Sequence, residues 1–337
     1  MSMVRISDIS KAVHVSPATV ARVVHNNGYV SDEKRKVIAQ AIKDLGYVPN
    51  RVARGLRNQK TNYVGHVLPL SSVNPFFTRI GTAFHVAAEA AGYHVLTVVS
   101  QGNAEKERMM IEDLVGLMVE AIVFTAQTSC STDVIRWVLS RGIPVIMIER
   151  PRDISNIDVV LLDSYEGSRL AIEHLISNGH RKIAFIGSKS EKHFVESQRY
   201  NGFTATMSQH DLKTPDHWIK LMYDYTVECG YSAMESILGS GDIPTSVFAA
   251  SDLLACGVLQ CLYQHGLRVP HDMSLVGYDN TLADLSVPAL TSIELQPDQV
   301  GKSAIDLILE RKKGFRIGAK TVTLIPRLVD RGSVAQI

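Results

Sequence analysis

The alternation of short apolar segments with helical segments, from residue 63 to near the end of the chain, constrains the fold most. The apolar segments are rich in Val and Ile, which favour strands, and segments of helical periodicity lie between most of them. The pattern predicts the following strands: Tyr63 to Leu68, His94 to Val99, Ala121 to Phe124, Pro144 to Ile148, Val159 to Leu162, Lys182 to Ile186, Ile219 to Met222, Ser246 to Ala249 and Met273 to Val276. Strands that alternate with helices form parallel sheets, which the helices cover on both faces.

The region that follows residue 60 is too long for one apolar core. Its roughly 270 residues exceed what a single core holds comfortably, so we predict two sheets with a cleft between them. In sheets of this kind, ligands bind outside the carboxyl ends of the strands. The sequence therefore predicts an α/β domain made of two parallel-sheet subdomains, with a binding cleft between the subdomains.

The start of the chain lacks this alternation and contains short helices instead. Residues 7–25 read SDISKAVHVSPATVARVVH, in which apolar residues recur at helical spacing on both sides of a turn at residues 14–16. Ser16 suits the N-cap of the second helix and Pro17 suits its first turn, and a third helix is predicted from Ser31 to about Leu45. Two short helices joined in this way are typical of a helix-turn-helix, although helical bundles that bind no nucleic acid share the pattern.

The distribution of charge favours DNA binding over a simple helical bundle. Residues 1–60 contain eleven Lys and Arg against four Asp and Glu, a net charge of +7, whereas the remaining residues carry a net charge of −6. The formal net charge of +1 for the whole chain hides this asymmetry. A basic segment on an acidic body is the feature expected of a module that contacts phosphates.

The sequence gives no sign of secretion, membrane insertion or a metal site. No positively charged segment followed by an apolar core opens the chain, and no run of about 18 apolar residues occurs, so neither a signal peptide nor a membrane span is predicted. The cysteines, at positions 130, 229, 256 and 261, lack the spacing of zinc ligands. We expect a cytoplasmic protein that binds no metal, needs no cofactor and has no membrane partner.

Ten segments spread along the chain form a recognisable set of motifs. They are VSPATVARVV at 15–24, GYVS at 28–31, LGYVPNRVARGL at 45–56, NPFF at 74–77, IPVIMIER at 143–150, NGHRKIAFIG at 178–187, ASDLLACGVL at 250–259, PHDMSLVGYDN at 270–280, PALTSI at 288–293 and LVDRGS at 328–333. Through these segments the chain resembles, from about residue 4 to residue 333, the LacI/GalR family of bacterial transcriptional regulators. The resemblance implies an all-α helix-turn-helix headpiece followed by an α/β effector domain of periplasmic-binding-protein-like fold.

The resemblance also implies the domain boundaries. The headpiece takes residues 1–60 and ends in a hinge helix at about 50–57, and the effector-binding and dimerisation domain takes residues 61–337. Within that domain, the N-subdomain comprises about 61–163 and 294–326, and the C-subdomain about 164–292 and 328–337. The crossing segments between the subdomains lie near 162–164, 290–295 and 326–328, so closure of the cleft is expected to reorient the subdomain tied to the hinge.

Members of the family bind palindromic operators as homodimers or tetramers, and the resemblance assigns DNA contacts residue by residue. The positions are Ser16, Pro17, Ala18, Thr19, Arg22 and Ser31 in the headpiece, and Asn50, Ala53 and Leu56 in the hinge. Arg22 is the best candidate for a guanine contact, since Pro17 and Ala18 have no side-chain hydrogen-bonding groups. Ala21 departs from the Ser that is common in this motif.

The hinge segment is too short to form a stable helix alone, because isolated helices below about 12 residues are marginal in water. Gly55 lowers its helical stability further. In the family, paired hinge helices lie in the minor groove and a Leu from each wedges a base step, the place that Leu56 takes here. The alternative is a flexible linker over residues 51–60, which the Arg, Asn, Gln and Lys content also fits.

The family binds its effector in the cleft, and the matching positions are Asn74, Phe76, Phe77, Glu149, Arg150, Arg199, Tyr225, Ser251 and Asp279. Aromatic faces with Asp and Arg suit a small sugar or sugar derivative. Alternatively, Phe76 and Phe77 are core residues, and Arg199 and Glu149 form a structural ion pair across the cleft. Leu295 stands where many relatives carry Gln, with Gln296 one residue along.

Two other functions compete with a repressor. An enzyme is disfavoured because the sequence contains no GxSxG, HExxH, P-loop or GxGxxG motif. A transport-associated binding protein is disfavoured by the basic headpiece and by the lack of a signal peptide. The closing residues 331–337 are too few for a heptad helix, which favours a dimer over a tetramer. We therefore predict a homodimeric, ligand-responsive transcriptional repressor that acts on double-stranded operator DNA.

Overall fold

The chain folds into two compact units, residues 1–61 and 62–337, in a computed structural model. The residues that the structure describes are 4–48, 60–68, 75–125, 131–149, 154–188, 194–314 and 318–337. The predicted hinge helix at about 50–57 lies outside them.

Three helices make up the described part of the first unit. They are α1 (Ile6–Ala12), α2 (Pro17–Val24) and α3 (Asp32–Asp44). Each contributes one fully buried side chain to a shared core, Ile9, Val20 and Ile38 respectively. The Ser16 hydroxyl caps α2 by accepting a hydrogen bond from the backbone N–H of Thr19 at 3.2 Å, which fixes where the second helix begins. The predicted helix-turn-helix is confirmed.

Strands and helices alternate along the second unit, as predicted. The strands are β1 (Tyr63–Leu68), β2 (His94–Val99), β3 (Ile122–Thr125), β4 (Val145–Ile148), β5 (Asp158–Leu162), β6 (Ile183–Gly187), β7 (Ile219–Leu221), β8 (Ser246–Ala249), β9 (Ser274–Tyr278), β10 (Thr291–Glu294), β11 (Thr321–Leu324) and β12 (Arg327–Val329). The helices are α4 (Pro75–Ala90), α5 (Ala104–Gly116), α6 (Thr132–Ser140), α7 (Ser164–Ser177), α8 (Phe194–Gln209), α9 (Val227–Leu238), α10 (Asp252–Gln264) and α11 (Pro297–Lys312), with a short 3-10 helix at Asp216–Trp218. None of the helices in the described part of the chain is both long and apolar enough to cross a membrane.

Within the described residues, the strands form two six-stranded sheets. The first has the order β11-β5-β4-β3-β1-β2 and is parallel throughout. The second has the order β12-β10-β9-β8-β6-β7 and is parallel except for β12, which pairs antiparallel with β10. The predicted fold class, an all-α headpiece with two parallel-sheet subdomains, is confirmed.

We call each sheet with the helices packed on it a lobe, the first lobe holding β1 to β5 and β11. The chain passes between the lobes three times: from β5 to α7, from β10 to α11, and from β11 to β12. One apolar cluster contains buried residues of both lobes, including Phe84 and Ile148 from the first and Phe185 and Tyr278 from the second. The lobes are therefore interleaved in sequence and joined by a shared core.

The strands β10, β11 and β12 were not predicted. They flank the last two crossings and read TSIE, TVTL and RLV, so they lack the continuous apolar run that identified strands of similar length such as β3 and β4. Several predicted strands are also displaced by one or two residues. The strand expected at Met273 to Val276, for example, is observed at Ser274–Tyr278, which places Tyr278 inside the sheet.

Candidate functional site

The predicted DNA-reading side chains of α2 lie on its exposed surface. Ser16, Pro17, Ala18 and Arg22 are exposed, whereas Thr19 is half-buried and its hydroxyl lies 2.9 Å from that of Ser16. Val20 of the same helix faces the core. One face of α2 thus stabilises the first unit while the other presents polar side chains to solvent, as a recognition helix does.

The loop after α2 supports the Arg22 side chain. Gly28 has a φ of +74°, and a methyl group added to it would lie 3.4 Å from Arg22 Cδ. Asn26 has a φ of 50° and accepts a hydrogen bond from Arg35 Nη1 of α3 at 3.0 Å. The aliphatic stem of Arg22 therefore lies against a glycine in the left-handed conformation. Sequence reasoning missed this contact, for which the glycine of the GYVS segment was the available signal.

Several predicted site residues have no described geometry. Asn50, Ala53 and Leu56 of the hinge lie outside the described residues, as do Asn74 and Arg150 of the cleft. Ser31 is described: it is half-buried, precedes α3, and makes no side-chain capping hydrogen bond.

Among the predicted effector-binding residues, Arg199 projects from α8 and is 3% exposed. Its Nη1 donates to the backbone oxygen of Ala250 at 2.6 Å, and its Nη2 donates to Asp279 Oδ1 at 3.0 Å. The same Nη2 lies 3.9 Å from Glu149 Oε1. Glu149 follows β4 of the first lobe and Asp279 follows β9 of the second, so the carboxyl ends of strands from both sheets meet at one guanidinium.

Arg199, Glu149 and Asp279 form a cluster of one cation and two anions. Burial alone lowers the pKa of Arg199, but the carboxylate of Asp279 and other nearby groups, Glu149 among them, outweigh burial and raise it. The guanidinium therefore stays charged between two carboxylates. Its buried Nε atom has no hydrogen-bond partner among the described residues. Buried donors normally have a partner, so this atom is available to a ligand or to water.

Tyr278 lies beneath the guanidinium and was not predicted as a site residue. The Cζ atom of Arg199 is 3.9 Å from the centre of the Tyr278 ring, a cation–π geometry. Burial raises the pKa of Tyr278 to about 12, so its hydroxyl stays protonated. On its far side the hydroxyl faces Gly167 of α7, and a methyl group there would lie 2.3 Å from it. Tyr278 therefore connects the site to the helix that follows the first crossing.

The backbone at the two carboxylates is in the left-handed region. The φ angles are 77° at Glu149, 87° at Asp279 and 49° at Asn280. Non-glycine residues rarely adopt such values, and they cluster at functional sites where the surrounding structure holds them in place. At the ends of β4 and β9 the backbone therefore adopts an unfavourable conformation that positions the side chains of Glu149 and Asp279.

The remaining predicted cleft residues differ in exposure. Phe76 is buried in the apolar cluster, with its ring centroid 5.4 Å from that of the half-buried Phe77. Tyr225 is half-buried. Ser251 is fully buried, and its hydroxyl caps α10 by accepting from the backbone N–H of Leu254 at 3.2 Å. Phe76 and Ser251 thus have structural roles, whereas Phe77 and Tyr225 keep accessible surface.

Asn280 is a connecting residue that sequence reasoning missed. Its backbone N–H donates to Ser292 Oγ at 3.2 Å, its Nδ2 donates to Glu294 Oε1 at 3.1 Å, and its Oδ1 accepts from Arg331 Nη2 at 2.7 Å. Its own carbonyl oxygen accepts from Arg79 Nη1 of α4. The residue next to Asp279 therefore joins β10, the closing segment of the chain and the first lobe.

Asp252 fixes the loop that follows Asn280. Its carboxylate is fully buried and accepts hydrogen bonds from the backbone N–H groups of Thr281 and Leu282 at 2.6 and 3.0 Å and from Ser292 Oγ at 2.7 Å. Burial raises the pKa of Asp252 to about 6, although these hydrogen bonds oppose the rise. The arrangement holds the strained peptide of Asp279 and Asn280 in place.

Two family models match the chain. The model for bacterial regulatory proteins of the lacI family matches residues 5–50, and the model for a periplasmic binding protein-like domain matches residues 172–334. The first match covers the helix-turn-helix, and the second covers most of the second lobe together with α11.

Known proteins resemble the chain along almost its whole length. It is 33% identical to the HTH-type transcriptional repressor PurR of Salmonella arizonae, over 99% of this chain and 97% of that protein. The Lac repressor dimer bound to operator and the anti-inducer ONPF shares its fold, with a TM-score of 0.85 at 23% identity over 99% of this chain and 100% of that chain. The transcriptional regulator CelR in complex with cellobiose matches with a TM-score of 0.71 at 26% identity, over 98% and 99% respectively. The chain therefore belongs to the LacI family of bacterial regulatory proteins, as a ligand-responsive DNA-binding transcriptional repressor and not an enzyme.

Proposed function

We propose that the chain represses transcription in the cytoplasm as a homodimer on a palindromic operator, and that a small sugar or sugar derivative bound between the lobes changes its affinity for that operator. The observation that carries the proposal is the meeting of Glu149 from the first lobe with Arg199 and Asp279 from the second, within 3.0 to 3.9 Å. A ligand that bonds to both sides of such a cluster binds one arrangement of the lobes better than another. That differential affinity is what a ligand needs in order to act as a switch.

Three features of the cluster support a sugar. Two carboxylates and one guanidinium offer paired acceptors and donors for neighbouring hydroxyls. The half-buried rings of Phe77 and Tyr225 offer apolar faces for a sugar ring. CelR, a relative of similar fold, was solved with cellobiose. Because Arg199, Glu149 and Asp279 together carry one positive and two negative charges, we expect a neutral sugar to bind better than its phosphate. We propose that Asn74 and Arg150 complete the site.

Titration calorimetry on the full chain tests this proposal. We expect heat of binding with at least one member of a panel of neutral mono- and disaccharides, and a loss of that heat in Asp279→Asn. Asp272→Asn is the matched control, since Asp272 is an exposed carboxylate paired with Arg268 in the same lobe. If no sugar, sugar acid or sugar phosphate gives heat, the sugar assignment is wrong.

For the operator, we propose that Arg22 reads a guanine, that Pro17 and Ala18 meet apolar base edges, and that Ser16, Thr19 and Ser31 contact the backbone. The hinge residues Asn50, Ala53 and Leu56 are proposed to enter the minor groove. Selection of bound genomic fragments, followed by binding titrations, tests the headpiece part. Arg22→Met is expected to cost about 1 to 3 kcal/mol and to relax the sequence preference at one position.

Lys43→Met is the matched control for Arg22→Met, because Lys43 is also an exposed cation of the headpiece, in the last turn of α3. We expect its loss to weaken binding to all fragments by a similar factor. An identical effect of the two substitutions on every fragment would show that Arg22 contributes charge alone.

Exposed apolar side chains of the second lobe support a homodimer. Tyr223, Tyr263, Leu285 and Val287 are between 75% and 93% exposed. Large apolar groups left in solvent mark interaction surfaces, and we propose that a second copy covers them. Sedimentation of Leu285→Asp is expected to show monomers at concentrations where the parent chain is dimeric. Met109→Asp, an exposed apolar residue of the first lobe, is the control and is expected to remain dimeric.

The proposed switch works through the three crossings near 162–164, 290–295 and 326–328. Closure of the cleft turns the lobe that follows the headpiece, and this displaces the two hinge segments relative to each other. A coupling of about 1 to 3 kcal/mol between the sites corresponds to a change of roughly 5- to 150-fold in operator affinity. We expect the sugar identified by calorimetry to change affinity for the selected fragments by a factor in this range.

A further inference from the structure

The adjacent residues Asp279 and Asn280 are each bonded by an arginine, and the two arginines belong to different lobes. Arg199, in the second lobe, donates to the Asp279 carboxylate. Arg79, in helix α4 of the first lobe, donates from Nη1 to the backbone oxygen of Asn280. Together with the approach of Glu149 to Arg199, this gives two polar bridges from the first lobe to adjacent groups of the second.

The acceptor of the Arg79 bridge is held rigidly within the second lobe. Asn280 is 7% exposed, has a φ of 49°, and bonds through its backbone and side chain to Ser292, Glu294 and Arg331. Its carbonyl oxygen therefore has a fixed direction. The carbonyl belongs to the peptide group between Asn280 and Thr281, and the N–H of that group donates to the Asp252 carboxylate at 2.6 Å, so Asp252 also holds this peptide in place.

The donor, in contrast, lies beside open space. Arg79 is exposed and lines a cavity of about 490 Å³ between α4, the start of α11 and the strands of the last two crossings. Glu294 and Asp298 line the same cavity. Glu294 lies in β10 of the second lobe and already pairs with Arg327, whereas Asp298 lies on α11, which packs against α4 in the first lobe. When the lobes move apart, the guanidinium can therefore leave the Asn280 carbonyl and pair with Asp298. The geometry provides two sets of partners, which is what a two-state element requires.

We infer that Arg79 is a latch between the lobes, a positioning residue that favours the arrangement in which Glu149 and Arg199 approach each other, and that a ligand in the cleft makes or breaks its bond to the Asn280 carbonyl by changing the separation of the lobes. The latch itself does not depend on the identity of the effector. Only its response to ligand rests on the proposed cleft.

The experiment measures the separation of the lobes in the full chain without ligand. Two dyes are attached through encoded azide side chains at positions 105 and 232, which are exposed on α5 of the first lobe and α9 of the second. Labelled chains are mixed with excess unlabelled chains, so that energy transfer within single molecules reports one chain only. The encoded groups avoid the native cysteines.

Arg79→Met is expected to lower the ratio of close to separated lobes about five- to tenfold, because a hydrogen bond from a charged donor is lost at a partly exposed position. Arg79→Lys keeps the positive charge but loses the planar guanidinium, and its ratio of close to separated lobes is expected to lie between those of the parent chain and Arg79→Met. Arg108→Met is the control, since Arg108 pairs with Glu112 on the surface of the first lobe, and is expected to leave the distribution unchanged.

A second variant tests the acceptor. Asn280→Gly keeps the carbonyl and tolerates the left-handed backbone, but it loses the side-chain bonds to Glu294 and Arg331. We expect it to shift the distribution in the same direction as Arg79→Met, and the double variant to shift it no further. A distribution in Arg79→Met equal to that of the parent chain, or equal to that of Arg108→Met, overturns the latch. Failure of the sugar proposal appears separately, in calorimetry.

Discussion

Gly167→Ala is expected to destabilise the second unit through one side chain. The added methyl group would lie 2.3 Å from Tyr278 Oη, 2.9 Å from Cζ and 3.0 Å from Cε2. The ring cannot turn away because Tyr278 is fully buried and its other face lies under the Arg199 guanidinium. Forcing an extra carbon into a packed core costs about 1 to 3 kcal/mol. Alanine in a helix regains about 0.5 to 1 kcal/mol relative to glycine. The net loss in the free energy of unfolding is therefore at most about 2.5 kcal/mol, with a central value of about 1 kcal/mol.

Tyr278→Phe should rescue this loss, since it removes the atom of closest contact. The hydroxyl donates to the backbone oxygen of Ser164 at 3.5 Å, a distance at which little hydrogen-bond energy is at stake. We therefore expect the single Phe variant to lose less than about 1 kcal/mol, and the double variant to recover about half of the Gly167→Ala loss. The part that remains reflects the ring carbons, which stay close.

Denaturant unfolding of the four proteins, the parent and three variants, gives the coupling energy between positions 167 and 278. Gly116→Ala is the control, because it also adds a methyl group in a helix but meets nothing within 4 Å, so it is expected to be neutral or slightly stabilising. Equal stability of Gly167→Ala and Gly116→Ala, or purely additive losses in the double variant, would refute the assignment of the contact.

Three further predictions concern stability. Ile9→Ala removes one of the fully buried side chains of the first unit, and we expect the free energy of unfolding of that unit to fall by about 2 to 5 kcal/mol. This loss should abolish DNA binding while the calorimetric unfolding transition of the second unit stays at the same temperature. Retained DNA binding would contradict the prediction. Burial lowers the pKa of His66 from 6.5 to about 3. As the pH falls from 6.5 towards 3, the unfolded chain therefore binds a proton at His66 before the folded chain does, and the folded protein loses stability. Unfolding midpoints plotted against pH should fall less steeply in His66→Leu than in the parent chain, and parallel plots would contradict the prediction. Arg311→Met removes the cation that donates two hydrogen bonds of 2.9 Å to the buried Asp158 carboxylate, although the Lys320 backbone N–H still donates to it. About 3 kcal/mol should be lost in denaturant titrations, and an unchanged midpoint would exclude the pair as a stabilising contact.

Most strands of the second unit were predictable because each carries a run of apolar residues next to a helical segment. Tyr63–Leu68, His94–Val99 and Ser246–Ala249 begin and end as predicted. The strands Thr321–Leu324 and Arg327–Val329 were not predicted, since they owe their conformation to partners across the sheet, β5 and β10, and not to local pattern. Pairing over such separations is invisible to periodicity.

The residues of the candidate site, like the strands, were only partly predictable from the sequence. The family resemblance predicted Glu149, Arg199 and Asp279 as site residues. In the structure, carboxylate oxygens of Glu149 and Asp279 lie 3.9 and 3.0 Å from the Arg199 guanidinium. Tyr278 lay beyond the predicted strand and was named only within the family segment at 270–280, and nothing in the sequence relates Arg79 to Asn280, which are 201 positions apart. Contacts between side chains that are far apart in the sequence depend on the tertiary fold, and the distances between such side chains cannot be derived from a single sequence.

Because the chain crosses between the lobes three times, neither lobe corresponds to a continuous stretch of the gene. Ending translation after residue 320 would remove β11 from one sheet and β12 from the other, together with Ser333, whose hydroxyl bonds to Leu275 and Thr291. Late nonsense mutations should therefore be as damaging as early ones. Exchange of a lobe between paralogous genes needs several recombination points, so new ligand specificities in such a protein are expected to arise by point substitution around the cleft.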